Sequence, residues 1–167
     1  MSPTAIAHVA FGFAALVFGT INTVRQKGTP SHRLIGHTYY LSMLGLNGTA
    51  FGLYDFFGTF GVFHWFAALS LVSTVGAVVP VLLRRPRRSW KIYHGYFMLY
   101  SYLGLLAATA AEIAVRIPPF WNTDSPARYL LSAALIASTT VTIIGFIVIP
   151  RRMRQLYEPR EVARSPS

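Results

Sequence analysis

The chain has 167 residues, of which 53% are hydrophobic and only 12% are charged. This profile favours a small helical membrane protein with one bundle and no second domain. Cysteine is absent, which excludes disulfides, thiolate metal sites, iron–sulfur clusters and cysteine nucleophiles. The net charge of +10 suggests a nucleic-acid partner at first sight, but the basic residues cluster between apolar segments and argue against one.

Five apolar stretches are long enough to cross a bilayer, since a span needs about 20 apolar residues for about 30 Å of hydrocarbon. In chain order they cover residues 5–24, 34–57, 60–83, 92–117 and 129–149. We therefore predict an all-α bundle of five transmembrane helices over residues 1–150 and a basic cytoplasmic tail over 151–167. The polar end of that tail, from Tyr157, is predicted to be disordered.

The first four spans are predicted to form a four-helix core of two similar hairpins. His8 and His64 lie 56 residues apart, and His37 and His94 lie 57 apart. Duplicated halves are common in membrane proteins. Chance is the competing explanation in a chain with so few polar residues.

The basic residues fall on one predicted side of the membrane. Thirteen of the fifteen follow the first, third or fifth span, and only Arg116 and Arg128 lie on the other side. Cytoplasmic loops are enriched in Lys and Arg, so we predict an outer N-terminus and a cytoplasmic C-terminus. We expect a bacterial inner membrane, with the lipid bilayer as the partner of the basic surface.

Histidines near the span ends are the candidate functional residues, because ionisable side chains inside a membrane are costly to place. The predicted topology puts His8 and His64 near the outer face, and His94 with His37 or His32 near the cytoplasmic face. Neutral imidazole is a normal axial ligand of haem iron. The two pairs predict two b-type haems and electron transfer across the membrane from a quinol or another redox partner. The alternative is that each histidine only anchors a helix end.

Helical phase predicts which faces point into the bundle. Asp55 follows His37 by 18 residues and Glu112 follows His94 by 18, which is five whole helical turns. Each carboxylate therefore shares a face with its histidine, and small or polar residues mark packed faces. The predicted inward stripes are His8, Gly12, Ala15, Gly19 and Asn22 in span one; His37, Leu41, Leu44, Gly48, Phe51 and Asp55 in span two; and His94, Met98, Ser101, Leu105, Ala108 and Glu112 in span four.

A second hypothesis is a non-haem metal site at the outer face, formed by His8, His64, Asp55 and Glu112. Such a ligand set suits zinc, iron or manganese with an open water position, and it can activate water for hydrolysis. The local alternatives are that Glu112 pairs with Arg116 at i,i+4 and that Asp55 is solvated at a helix end. A third hypothesis is a non-catalytic membrane subunit whose polar groups only lock the helices together.

The segment after the first span carries a motif, which reads Lys27-Gly28-Thr29-Pro30-Ser31-His32-Arg33 and continues to Gly36 and Tyr39. Three shorter motifs accompany it: His8-x3-Gly12, Gly61-Val62-Phe63-His64-Trp65 and His94-x3-Met98-x2-Ser101-Tyr102. Together they resemble the predicted membrane proteins grouped as domain of unknown function 2306, over residues 6–116. The resemblance implies that His8, His32, His64 and His94 are the site histidines, which favours His32 over His37. It implies no activity.

The chain departs from that family after His94, where Gly95, Tyr96 and Phe97 stand in place of the common HRRW sequence. We expect Arg33, Arg87 or Arg88 to take over any contact with an anionic group such as a haem propionate. The paired-histidine layout is also similar to cytochrome b561-type proteins. That likeness is an analogy of layout, without shared motif residues.

Overall fold

A computed structural model describes residues 2–53, 61–117 and 126–162 of the chain. They form five α-helices: α1 (Pro3–Val24), α2 (Pro30–Ala50), α3 (Val62–Leu83), α4 (Trp90–Ala114) and α5 (Pro126–Val162). No strand occurs within those three ranges, and the all-α prediction is confirmed. The chain divides into two compact units, Met1–Tyr102 and Leu103–Ser167.

Polar caps and prolines set the first two helix starts. The hydroxyl of Ser2 accepts the N–H of Ala5 at 3.2 Å, and the hydroxyl of Thr29 accepts the N–H of His32 at 3.1 Å. A proline follows each cap. Proline is suited to this position because its missing N–H would have no helical partner there.

Four helical segments are long and apolar enough to cross a membrane: Pro3–Val24, His64–Leu83, Trp90–Ala114 and Arg128–Tyr157. The described part of α2 does not qualify, because polar residues such as His32, Arg33 and Asn47 run along its length. The prediction of membrane spans is thus confirmed for four helices. The crossing by α2 and the orientation of the termini remain predictions.

Within the first unit, α1 packs along α2, and α2 packs against α3. The buried residues of α1 are Ala15, Gly19 and Asn22, so the stripe predicted for the first span is confirmed. Gly19 faces two tyrosine rings closely: an added Cβ would lie 2.6 Å from Tyr102 and 2.9 Å from Tyr39. A small residue is therefore required there for the helices to approach.

The stripe predicted for the second span is wrong. Helix α2 buries Tyr39, Ser42, Met43 and Asn47, whereas His37 and Gly48 are exposed and Leu41 is 64% exposed. A spacing of 18 residues fixes only the relative phase of two positions, and the bulky buried residues decide which face packs. Asp55, the other end of that predicted stripe, lies outside the described residues.

The stripe predicted for the fourth span is confirmed as far as Leu105. Leu105 and Ser101 are both buried, whereas Ala108, the next member of the stripe, is exposed.

Helix α5 continues to Val162, so the prediction of a disordered tail from Tyr157 is wrong for residues 157–162. In the second unit, Leu103 lies against Gly145, where an added Cβ would approach it to 2.2 Å.

Candidate functional site

The basic end of the first unit, defined here by the loops 25–29 and 84–89, brings two of the predicted histidines together. His32 lies in the first turn of α2, and His94 lies in the second turn of α4. The two imidazoles are close enough to interact electrostatically. The fold therefore brings these two residues near each other, and their pairing at a cofactor stays a prediction.

The ring of His94 is oriented by a backbone carbonyl. Its Nδ1 lies 2.6 Å from the carbonyl oxygen of Ala77 in α3. A carbonyl oxygen only accepts, so Nδ1 must carry the proton and donate it. In the neutral ring Nε2 then carries the lone pair. This is the arrangement by which proteins fix the tautomer of a metal-ligating histidine.

The surroundings of His32 favour its neutral form. Its Nδ1 is buried and has no hydrogen-bond partner among the described residues. The residue lies outside the four candidate spans. Burial lowers the pKa of His32, and the nearby positive charges of Lys27, His94 and Arg33 lower it further. An uncharged imidazole is the form that binds a metal ion or haem iron.

Lys27 and Asn22 complete the surroundings of His32. The ammonium of Lys27 donates to the carbonyl of Asn22 and, at 3.0 Å, to that of Thr23, which satisfies carbonyls in the last turn of α1. The Asn22 side chain is only 7% exposed. It packs beside Gly36, where an added Cβ would lie 3.5 Å from its Nδ2. Gly36 is one turn after His32, so Asn22 packs on the face of α2 that carries His32.

His37 does not join this cluster, because it is exposed on α2. His32, by contrast, is near enough to His94 to be affected by its charge, and which of the two histidines is the inner ligand stays a prediction. Arg33 is exposed beside the cluster and contributes positive charge to it.

The histidines at the opposite end are held by local hydrogen bonds. Nδ1 of His8 lies 3.0 Å from the hydroxyl of Thr49, whose own proton goes to backbone carbonyls of α2. His64 is 4% exposed, and its Nδ1 accepts the N–H of Gly61 at 3.1 Å. The neutral His64 ring therefore carries its proton on Nε2. This bond makes His64 a helix cap, and its pairing with His8 at a haem stays a prediction.

Of the two carboxylates predicted for a metal site, only Glu112 lies among the described residues. Glu112 forms an ion pair with Arg116 one turn along α4, which confirms the local alternative for this residue. Asp55 lies outside the described residues. Within residues 2–53, 61–117 and 126–162, no three His, Asp or Glu side chains are grouped closely enough to hold a metal ion.

A chain of buried hydroxyls crosses the first unit, and sequence reasoning missed it. Thr74 donates its only hydroxyl proton to the carbonyl of Ser70 at 2.8 Å. It must therefore accept from Ser101, 3.2 Å away, which in turn accepts from Tyr39 at 2.8 Å. The bonds run in one direction from α2 through α4 to α3. They hold the helices that carry His32 and His94.

Other site residues gave only weak signals in the sequence. In the sequence, Lys27 is one of many basic residues, and Asn22 is one polar residue in a stripe of small ones. The carbonyl of Ala77 carries no side-chain signal, although Pro80 disturbs the same turn of α3 because it lacks a backbone N–H. His64 did offer a signal: it stands three residues after Gly61, the spacing at which a side chain reaches back to the N–H of its own helix cap.

The family described as "Predicted membrane protein (DUF2306)" has a model that matches residues 5–149. The match extends beyond the resemblance seen in the motifs and includes most of the apolar part of α5. No curated protein and no solved structure matches the chain.

Proposed function

The chain belongs to this family of predicted membrane proteins, and we propose that it is a b-type haem-binding protein of the membrane. The haem would lie at the basic end, with its iron between His94 and His32, and would supply one-electron redox chemistry there. The hydrogen bond from Nδ1 of His94 to Ala77 carries this proposal, because it leaves the other ring nitrogen able to ligate.

The state of His32 supports the same assignment. Burial lowers its pKa, which favours the neutral ring that can ligate. The cluster lies at the ends of helices that expose many large apolar side chains, so a flat apolar macrocycle would approach it from the membrane. The exposed Arg33 is suited to pair with a propionate, because guanidinium binds carboxylate with two parallel hydrogen bonds.

We propose one haem at this end rather than the two that the histidine spacing predicts. A second haem at the opposite end needs a lone pair on Nε2 of His64. The bond from Gly61 to Nδ1 of that ring places a proton there instead. A relay of electrons across the whole membrane would therefore require His64 to give up its capping bond. A haem-to-protein ratio near one is expected.

The orientation is part of the proposal. Basic loops favour the cytoplasm, so the site would face the cytoplasmic side of a bacterial inner membrane. Because the chain has no cysteine, a single introduced cysteine reports topology without background. A membrane-impermeant maleimide applied to intact cells should label Ser2→Cys and spare Gln26→Cys; the reverse pattern would overturn the orientation.

An optical spectrum of the protein purified from its native membrane tests the function. We expect a Soret band and sharp bands in the reduced state, and the sharp reduced bands should be lost in His94→Ala and in His32→Ala. His37→Ala is the matched control on the same helix, and it should keep the wild-type haem content. A wild-type protein with zinc or manganese and no haem bands would support the metal hypothesis instead, and one with neither would leave a non-catalytic subunit.

A further inference from the structure

The basic end of the first unit carries two groups of positive charge, and the chain uses them differently. In the first group, Nε of Arg25 donates to the hydroxyl of Ser31 at 2.9 Å, and Lys27 donates to backbone carbonyls of α1. These cations are therefore already bound within the chain. The second group lies between α3 and α4 and consists of exposed basic residues close together in sequence: Arg84, Arg85, Arg87, Arg88 and Lys91.

Among the described residues of its own unit, the second group has no negatively charged side chain to offset it. Residues 2–53 and 61–102 contain neither aspartate nor glutamate. The cations of the group therefore repel one another, and no carboxylate of these residues compensates the repulsion. An anion bound from outside the chain would compensate it, so charge complementarity points to an anionic partner.

A half-buried tryptophan indicates that this group lies at the membrane surface. The guanidinium carbon of Arg84 lies 5.3 Å from the ring centre of Trp90, and the ammonium of Lys91 lies 5.5 Å from it. Both distances are within the range of cation–π attraction, which holds the two cations beside the ring. Tryptophan is enriched where the hydrocarbon meets the headgroups, because its large ring system is apolar and its N–H is polar.

Apolar side chains next to the arginines favour a lipid over a soluble anion. Leu82 and Leu83, the last two residues of α3, are 74% and 62% exposed. Of the candidate membrane spans, one ends at Leu83 and the next begins at Trp90. The basic group thus directly follows a surface that suits acyl chains. A phospholipid would contact both the charges and this surface, whereas a free phosphate would contact only the charges.

We infer that residues 84–91 form a binding site for the headgroup of an anionic phospholipid. Arg87 and Arg88 donate to the phosphodiester oxygens, since guanidinium binds phosphate with two parallel hydrogen bonds. The cations held beside Trp90 add positive charge, and the exposed leucines at the end of α3 contact the acyl chains. A zwitterionic lipid brings its own cation, which this group repels. The site therefore selects anionic lipids, and it does not depend on haem.

The test is native mass spectrometry of the full chain in an uncharged detergent, titrated with phosphatidylglycerol or with phosphatidylcholine of the same acyl chains. We expect the first phosphatidylglycerol to bind about tenfold more tightly than the first phosphatidylcholine. The double variant Arg87→Gln, Arg88→Gln should bind phosphatidylglycerol about tenfold more weakly than wild type, because two phosphate contacts are lost. The matched control is Arg25→Gln, Arg116→Gln, which loses the same net charge from two exposed guanidiniums that already have partners in the chain. It should stay within about threefold of wild type.

Glycerophosphoglycerol, the same headgroup without acyl chains, separates a lipid from a free phosphate ester. It should not displace phosphatidylglycerol at equal concentration, and full displacement would overturn the assignment to a lipid. Equal affinity for the two lipids, or unchanged phosphatidylglycerol binding in Arg87→Gln, Arg88→Gln, would overturn the site. An equal loss of binding in the control would also overturn it, because net charge alone would then explain the binding. Circular dichroism of each variant checks that the helices are retained.

Discussion

The hydroxyl chain that joins α2, α4 and α3 predicts a specific pattern of coupled mutational effects. Ser101→Ala removes the acceptor of the Tyr39 hydroxyl and leaves that O–H buried, because Tyr39 is only 1% exposed. A buried unsatisfied donor costs about 1–3 kcal/mol, so we expect a loss of about 2 kcal/mol in the free energy of unfolding. Tyr39→Phe removes the donor instead. It should cost only about 1 kcal/mol, because Ser101 still donates to Thr74.

The double variant discriminates this account from independent contributions. Once Tyr39 is Phe, no hydroxyl is left unsatisfied by Ser101→Ala, so the double variant should be no less stable than Ser101→Ala alone. The expected coupling is about 1 kcal/mol. Unfolding is measured by titrating SDS into protein held in lipid–detergent micelles, with Tyr40→Phe on the adjacent, half-buried tyrosine as the control. Effects that add to within about 0.5 kcal/mol would refute the direction assigned to these bonds.

Three further outcomes follow from the same contacts. Gly19→Ala should destabilise the protein by about 1–3 kcal/mol in the same SDS titration, because the added Cβ would overlap two tyrosine rings. The added Cβ of Gly48→Ala meets no atom within 4 Å, so this variant should stabilise α2 by up to about 1 kcal/mol. The pKa of His32 is lowered from 6.5 in the folded state, so the unfolded chain takes up more protons and stability is lost as the pH falls below about 6.5. His32→Gln should reduce that slope by up to about 1.4 kcal/mol per pH unit, and an unchanged slope would contradict burial of a neutral ring. Glu112→Gln should change stability by less than about 0.5 kcal/mol, because its ion pair with Arg116 is partly exposed, with side chains 44% and 67% exposed.

The composition and apolar lengths were sufficient to predict the helical membrane class. They were also sufficient for the packed face of α1, because its small residues and Asn22 repeat with the helical period. The same reasoning failed for α2. There the ionisable His37 was assumed to face inward, but a histidine near a helix end can reach the headgroup region at little cost. The packed face is set instead by Tyr39 and Met43, which fill the space beside α1 and α3.

The candidate site was predicted only in part. The motif pointed to His32 and His94, and their order along the chain placed them at the same end. What the sequence could not supply was the state of each ring, because this depends on a backbone atom distant in sequence. The carbonyl of Ala77 assigns the proton of His94, and the N–H of Gly61 assigns that of His64. His94 and His64, which their positions in the sequence do not distinguish, therefore carry their protons on different ring nitrogens.

Electron paramagnetic resonance of the oxidised protein tests the central claim most directly, because it reports how many imidazoles bind the iron. The account predicts a low-spin ferric signal in the wild type and in His37→Ala. His32→Ala and His94→Ala should each convert that signal to high spin or lose the iron. A low-spin signal that survives in either of the last two variants, or a wild-type protein without ferric haem, would contradict ligation by this pair.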